Sequence, residues 1–255
     1  NILIYGYGAL GLYYGYILAE AGQEVSIVDP RVESGRKTVL FEDGTDGLDR
    51  ERTFSLVDSR EVGGAGGRAS SLLLVALPSH HMHEQIEYLE RLVSELDISL
   101  VLLFGGYVRG MDRWERRIEE KLGEKKSDKG HVLFAYPGVS AVFDREERRV
   151  LFCDRNEEDE RRRGITYGRL RAAERSDARG EESVEPENSR GDDDILRSVF
   201  ADSGIPATRN DEMERVFLSQ AAVRLPMTAA LYWAGGRLDQ LSRTGDLLKL
   251  MIKGI

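Results

Sequence analysis

The first thirty residues alternate between apolar runs and a helical pattern. An apolar run at 2–5 is typical of a strand buried in a parallel sheet, and a glycine-rich turn at 6–11 follows it directly. Apolar residues at helical spacing then continue up to Gly22, a residue suited to ending a helix. A second apolar run at 24–28 leads into Asp29. This pattern predicts a complete strand–helix–strand unit.

The same alternation continues along the chain. Apolar runs of strand length lie at 39–42, 53–57, 71–77, 99–104, 131–135, 150–153 and 164–167. Helical patterns lie at 79–96, 114–122, 195–201, 213–233 and 239–255. Strands that alternate with helices predict an α/β fold with a doubly wound parallel sheet. We expect the strands at 150–153 and 164–167 to pair with each other.

Composition divides the chain into three parts. Residues 1–170 carry the alternating pattern and predict a nucleotide-binding-type domain with a strand extension. Residues 171–194 contain few apolar side chains and predict an exposed insertion or linker. Residues 195–255 return to helical periodicity, which predicts a smaller all-helical C-terminal domain. The last helical pattern does not finish within the sequence, so we expect this domain to be incomplete.

Charge and cysteine content narrow the function classes. The 36 basic and 45 acidic residues give a net charge of −9, which disfavours a nucleic-acid or anionic-membrane surface. Cys153 is the single cysteine, so no internal disulfide forms. No apolar run approaches the ~18–20 residues of a membrane span. We therefore expect a cytoplasmic protein that acts on small molecules.

The glycine-rich turn carries the candidate chemistry. It consists of Gly6, Tyr7, Gly8, Ala9, Leu10 and Gly11. A GxGxxG motif between a strand and a helix, with an acidic residue at the end of the next strand, is typical of dinucleotide binding. The first glycine permits the turn, the second admits a pyrophosphate, and the third lets the helix pack on the sheet. The helix N–H groups at Ala9 and Leu10 would face the anion. The alternative is a structural turn with no ligand.

Asp29 and Arg31 indicate opposite cofactor preferences. A carboxylate at Asp29 accepts hydrogen bonds from ribose hydroxyls and repels a 2′-phosphate, which favours NAD. The guanidinium of Arg31 pairs with such a phosphate, which favours NADP. The sequence leaves both cofactors open.

Three histidines, His80, His81 and His83, cluster after the strand at 71–77. No suitable third ligand is evident nearby, so packing or solvent exposure is the better interpretation and no metal site is predicted. In a doubly wound sheet, however, this strand end lies beside a bound dinucleotide. His81 is therefore a weak candidate for a group that touches the nicotinamide or the substrate.

Eight stretches of the chain together form a recognisable series: ILIYGYGALG, LAEAGQEVSIVD, SSLLLVALPSHH, LLFGG, VLFAYPG, VLFCD, ITYGRL and MERVFLSQAAVRLPMTAALYW. In these stretches the chain resembles the ketopantoate reductase (2-dehydropantoate 2-reductase) family. The resemblance implies a Rossmann domain, an all-helical C-terminal domain, and an NADPH-dependent reductase of a 2-oxo acid working in the cleft between them. It also implies cofactor contacts at the strand-end positions Leu77, Pro78 and Gly105.

The chain departs from that family where the catalysis is expected. The family's general acid is a lysine near the start of the first long C-terminal helix, where this chain has Phe217, Leu218 and Ser219. No lysine lies between Lys129 and Lys249. An arginine on this helix, Arg224, carries charge but is a poor proton donor. The family also has an asparagine where Gly105 stands. Ser219 and His81 are the weak catalytic candidates, and the catalytic residue stays unassigned.

Three hypotheses remain open. The first is an NAD(P)-dependent oxidoreductase that transfers hydride between NADPH and a small 2-oxo or 2-hydroxy acid. The second is a dinucleotide-binding sensor or partner-binding protein without turnover, motivated by the missing lysine. The third, an opine- or sugar-nucleotide-type dehydrogenase, is disfavoured because 201–255 lacks the histidine or cysteine that such enzymes need. The apolar helix at 218–233 is expected to pack within its own domain, although a homodimer is the other option.

Overall fold

The computed structural model describes residues 1–44, 49–57, 72–96, 98–105, 110–123, 131–154, 163–170 and 189–233. Most of the predicted insertion, up to residue 188, lies outside the described residues, as does the predicted helix at 239–255. No helix in the described part is both long and apolar enough to cross a membrane.

Eleven strands and five helices make up the described chain. The strands are β1 (Ile2–Tyr5), β2 (Val25–Val28), β3 (Gly35–Asp43), β4 (Asp49–Val57), β5 (Leu72–Val75), β6 (Leu100–Phe104), β7 (His131–Pro137), β8 (Ser140–Asp144), β9 (Arg149–Cys153), β10 (Ile165–Gly168) and β11 (Ala207–Arg209). The helices are α1 (Ala9–Glu20), α2 (Met82–Glu95), α3 (Met111–Gly123), α4 (Ser189–Ala201) and α5 (Met213–Trp233).

All the described strands belong to one sheet, in the order β11-β10-β7-β6-β5-β1-β2-β4-β3-β9-β8. The central strands β7, β6, β5, β1 and β2 run parallel, while β3, β8 and β10 each have an antiparallel neighbour. The chain passes from β1 to β2 on one side and then returns to place β5 on the other side. The predicted α/β Rossmann-type fold is confirmed, and its topological switch point lies between β1 and β5.

Alternate residues of the central strands face two separate cores. Ile4 and Leu102 belong to the core that includes residues of α1 and α4. Leu3 and Val101 belong to the opposite core, which includes residues of α2 and α3 and the start of α5. Because successive strand residues point to opposite faces, a continuous apolar run is what a sheet covered on both faces requires.

Helix α1 is buried almost all round, with Gly11 to Leu18 all buried. The central strands β1 and β2 contact it, and so do β8 and β9 near the end of the sheet. The sheet therefore curls around the helix. The ring of Tyr16 stacks on Phe41 at 4.4 Å, and the ring of Tyr13 lies 5.2 Å from Phe152. A helix enclosed in this way needs apolar residues on all its faces.

The predicted pairing of the strands at 150–153 and 164–167 is wrong. Strand β9 pairs with β3 and β8 near one end of the sheet, whereas β10 pairs with β7 and β11 near the other end. The reason is that β9 is the return arm of a hairpin whose turn includes Arg148 at φ 52°. The periodicity identified both strands but contained no information on their partners.

Helix α4 begins at Ser189, within the segment that the composition predicts to be exposed. Its acidic residues are paired with the sheet. Asp192 lies 2.5 Å from His131 Nδ1, and Asp193 Oδ1 accepts a hydrogen bond from the Tyr167 hydroxyl at 3.0 Å. Asp193 also pairs with Arg209 of β11 at 3.2 Å. A strand of three residues such as β11 is too short to produce an alternating pattern, so the sequence pattern does not predict it.

Candidate functional site

The glycine turn joins β1 to α1 at the switch point. Gly6 has φ +122°, and a Cβ there would lie 2.7 Å from the Ala76 carbonyl oxygen. A Cβ at Gly11 would lie 2.0 Å from the Gly6 carbonyl oxygen. A Cβ at Gly8, by contrast, would meet nothing within 4 Å. The fold itself therefore requires the first and third glycines, whereas the second borders open space.

Gly8 is also the N-cap of α1, and no side chain caps this end of the helix. The Leu12 N–H bonds the Gly8 carbonyl oxygen at 2.9 Å, which leaves the preceding N–H groups of the first turn without intrahelical partners. Such N–H groups, together with the positive end of the helix dipole, favour an anion. Open space at Gly8 and these donors make a cradle that fits a pyrophosphate.

Asp29, at the end of β2, ties the turn to the second strand. Its side chain is 1% exposed. One carboxylate oxygen accepts the Tyr7 N–H at 2.9 Å, and both oxygens accept bonds from the Arg31 guanidinium at 2.8 and 2.9 Å. Burial by itself would raise the pKa of Asp29, but the hydrogen bonds from Arg31 and the Tyr7 backbone outweigh it and lower the pKa below its ordinary value.

Arg31 lies at the surface beside this carboxylate. Its side chain is 38% exposed, and its remaining terminal nitrogen lies 2.9 Å from His81 Nδ1. The hydrogen bond to Asp29 raises the pKa of Arg31 further, so the guanidinium stays charged. The structure thus places His81 beside the pair Asp29 and Arg31, and the exposed member of that pair is the cation.

A cleft of about 540 Å³ opens at the carboxyl ends of β1, β5, β6 and β7, beneath α5. It is lined by Gly8, Ala9, Leu10, Ala76, Leu77, Pro78, His80, Phe104, Gly105, Tyr136, Pro137, Phe217, Gln220, Ala221, Arg224 and Leu225. The lining includes all three strand-end positions inferred from the family resemblance. The cleft extends from the start of α1 to α5, the first long C-terminal helix. This is the arrangement expected of a cleft in which a dinucleotide meets its substrate.

Three polar side chains converge on the α5 side of this cleft. The Tyr136 hydroxyl donates to Gln220 Oε1 at 2.8 Å, and the Arg224 guanidinium carbon lies 5.1 Å from the centre of the Tyr136 ring. Tyr136 and Gln220 are missing from the sequence-based candidates. The available signal was weak, because a tyrosine at the end of a strand and a glutamine on a helix are both common.

The weak catalytic candidates lie elsewhere. The Ser219 hydroxyl donates to the Val216 carbonyl oxygen at 2.8 Å, and the residue is exposed rather than part of the cleft lining. His81 contacts Arg31 at the end of β2, while its neighbour His80 lines the cleft. Phe217 lines the cleft and is buried, with its ring 6.4 Å from Phe134. An apolar ring therefore occupies the region in which the family resemblance places a lysine.

The histidine cluster has other contacts. The rings of His80 and His81 meet edge to face at 4.2 Å, and His83 contacts the Trp114 ring at 4.9 Å. Within the described part of the chain, no group of three or more histidine, cysteine, aspartate or glutamate residues is arranged to hold a metal ion.

Comparisons with known proteins bear on this architecture. Residues 2–105 match the family described as "Ketopantoate reductase PanE/ApbA". The resemblance to ketopantoate reductases is confirmed. The match covers the glycine turn, both flanking strands and the strand end at Gly105. A comparison with curated proteins finds no match.

Several solved structures share the fold at low identity. The probable 2-dehydropantoate 2-reductase panE of Bacillus subtilis is 16% identical, with a TM-score of 0.58 over 98% of this chain and 72% of that one. A dimeric ketopantoate reductase of Staphylococcus aureus is 14% identical, with a TM-score of 0.56 over 90% of this chain and 61% of that one. A D-mandelate dehydrogenase solved with NADH is 15% identical, with a TM-score of 0.58 over 90% and 62%. This chain spans about three fifths of the length of the last two.

Proposed function

We propose that this ketopantoate reductase-like protein binds a nicotinamide dinucleotide in the cleft and interconverts a small 2-oxo acid and its 2-hydroxy acid. The observation that carries the proposal is the open position at Gly8 beside the uncapped start of α1, at the switch point of the sheet. A side chain at this position would fill the space that a pyrophosphate needs. The names of the similar structures, which include reductases and a dehydrogenase solved with NADH, also support it.

The residues around the cleft fit such a cofactor. Ala9 and Leu10 would hold the pyrophosphate through backbone N–H groups, and Leu77, Pro78 and Gly105 would flank the nicotinamide half along the strand ends. When bound, a reduced nicotinamide supplies a hydride. The buried rings of Phe104 and Phe217 in the lining would exclude water from the reacting groups on their side of the cleft.

The geometry at the end of β2 favours NADPH. Each oxygen of Asp29 already accepts two hydrogen bonds, from backbone N–H groups and from Arg31, so ribose hydroxyls find no free acceptor there. The accessible group is the guanidinium of Arg31, which is 38% exposed and suits a 2′-phosphate. Arg31 and Asp29 together therefore resemble a phosphate-binding arm rather than a ribose-binding carboxylate.

Titration of the purified protein with NADPH and NADH, followed by cofactor fluorescence and calorimetry, tests the proposal. We expect binding of NADPH in the micromolar range, with NADH binding more weakly. Absence of binding by either dinucleotide at millimolar concentration would exclude the function. Gly8→Val is the variant that tests the site. Its side chain enters the open space beside α1, so it should abolish dinucleotide binding without unfolding the protein.

A specific observation keeps a second function open. Where the family resemblance places the proton-donating lysine, this chain has Phe217, Leu218 and Ser219, so a dinucleotide-binding protein without turnover fits the same cleft. The two functions separate when the cofactor-bound protein is offered a panel of 2-oxo acids and NADPH absorbance is followed. Analytical ultracentrifugation checks the homodimer, which stays a prediction.

A further inference from the structure

Resting on the proposed function, we propose that Tyr136, Gln220 and Arg224 form the subsite for the 2-oxo acid. Arg224 binds the substrate carboxylate, and Tyr136 supplies the proton to the oxo oxygen. Gln220 holds the Tyr136 hydroxyl in place. The subsite takes over the work that a lysine performs in the family that the chain resembles.

The three side chains come from two different elements and meet inside one cleft. Tyr136 stands near the carboxyl end of β7, and the other two lie four residues apart on α5, so they share a helix face. The hydroxyl–amide bond of 2.8 Å and the guanidinium 5.1 Å from the tyrosine ring link the sheet to the helix. A 2-oxo acid carries its carboxylate and its oxo oxygen on adjacent carbons, so it needs a cation and a hydrogen-bond donor that are close neighbours.

Arg224 supplies the cation. Among the described residues that line the cleft, it alone carries a permanent charge. It is exposed, and its guanidinium lies over the Tyr136 ring. The planar guanidinium matches a carboxylate with two parallel hydrogen bonds.

Tyr136 supplies the proton because the alternatives in the cleft are poor. A guanidinium and an amide do not release protons at ordinary pH. His80 is exposed and follows β5, which lies two strands away from the strand of Tyr136 in the sheet. The half-buried Tyr136 hydroxyl lies against α5, 2.8 Å from Gln220 Oε1, and the Arg224 guanidinium carbon lies 5.1 Å from the centre of its ring. The Tyr136 O–H therefore lies beside the cation that binds the carboxylate.

The proton transfer balances with a hydride donor of the nicotinamide class. When the carbonyl carbon accepts the hydride, the π pair of the C=O bond moves to oxygen, and the O–H bond of Tyr136 breaks as its proton joins that oxygen. When the substrate binds, the Gln220 amide turns to donate an N–H to the Tyr136 oxygen, which frees the O–H to point at the oxo oxygen. The same amide donor then holds the phenolate after the transfer. Solvent then returns a proton to the phenolate.

The test compares five variants of the full chain. Arg224→Gln removes the carboxylate-binding cation, Tyr136→Phe removes the proton donor, and His80→Asn removes the alternative proton donor. The matched controls are Arg215→Gln, at an 85% exposed residue of α5, and Tyr16→Phe, at a residue of α1 that stacks on Phe41 of β3. NADPH affinity is measured by fluorescence, the affinity of oxamate for the cofactor-bound protein by calorimetry, and turnover with pyruvate, glyoxylate and ketopantoate.

We expect Arg224→Gln to weaken oxamate binding about tenfold or more, because a charge-assisted bond is lost, with NADPH affinity unchanged. Tyr136→Phe should lower kcat about 100-fold or more, with little change in KM or in oxamate affinity. Both controls should behave as the wild type does.

Several results would overturn the subsite. The first is a wild-type protein that binds NADPH but neither binds oxamate nor reduces any of the three acids. The second is an Arg224→Gln variant that binds oxamate as tightly as the wild type does. The third is a Tyr136→Phe variant with the wild-type kcat. Loss of turnover in His80→Asn with Tyr136→Phe unaffected would assign the proton to His80 instead. Failure to bind any dinucleotide is a different result, because it removes the proposed function itself.

Discussion

Replacing Gly11 by alanine tests how the glycine turn divides its work between folding and binding. The new Cβ would lie 2.0 Å from the Gly6 carbonyl oxygen, whereas ordinary contacts begin near 3.4 Å. The obstructing atom belongs to the backbone, so no side-chain rotation relieves the contact. Either α1 or the turn must move by about an ångström, in a region where α1 is enclosed by the sheet.

The size of the effect follows from two opposing terms. Overpacking of this kind costs about 3 kcal/mol or more. Alanine in place of glycine within a helix returns up to about 1 kcal/mol. The net loss is about 2–3 kcal/mol in the free energy of unfolding, which for a chain of this size lowers Tm by roughly 5–10 °C.

Gly8→Ala is the control for this experiment. Its Cβ meets no atom within 4 Å, and the backbone at Gly8 is extended, with φ −121° and ψ −177°. We expect its Tm to stay within about 2 °C of the wild type while its NADPH affinity falls, because the methyl group enters the space assigned to the pyrophosphate. Urea denaturation and thermal melts measure stability, and fluorescence titration measures binding. A Gly11→Ala protein that melts with the wild type would refute the steric reasoning.

Three further predictions concern charged groups. Arg31→Ala should weaken NADPH binding about tenfold or more and leave NADH binding nearly unchanged, and equal losses for both would contradict the 2′-phosphate assignment. Burial and the neighbouring Glu119 raise the pKa of Glu115 to about 7, so the folded state binds an extra proton and loses stability as pH rises from about 4.5 to 7. Glu115→Gln should remove this loss and stabilise the protein at pH 8 by about 1–2 kcal/mol in denaturant melts, unlike the exposed Glu120→Gln. Asp193→Ala leaves the Tyr167 hydroxyl without its acceptor and should cost about 1–3 kcal/mol by the same melts; an unchanged midpoint would mean that α4 is not held by this residue.

Local sequence patterns predicted the central strands, the helices between them and the glycine turn. Four residues of continuous apolar sequence at 2–5 require burial on both faces, and the turn at 6–11 contains its own steric demands. These features depend on residues that are close in sequence, so they can be predicted from the sequence without the tertiary structure. The same holds for the missing lysine, which is a matter of counting.

The edges of the sheet and the α5 side of the cleft depended on contacts between residues far apart in the chain. Strands β9 and β10 look alike in sequence, yet they lie near opposite ends of the sheet because pairing is decided by what each strand meets after the chain has turned. From the sequence alone, Asp192 and Asp193 of α4 are expected to face solvent. In the fold they lie beside His131 and Arg209 and pair with them. Local sequence thus determined the dinucleotide-type turn and the layers around it, since periodicity and glycine stereochemistry act over a few residues. The meeting of Tyr136 with Gln220, 84 residues apart, arose only when α5 packed across the strand ends, because no short-range pattern records a contact at that separation.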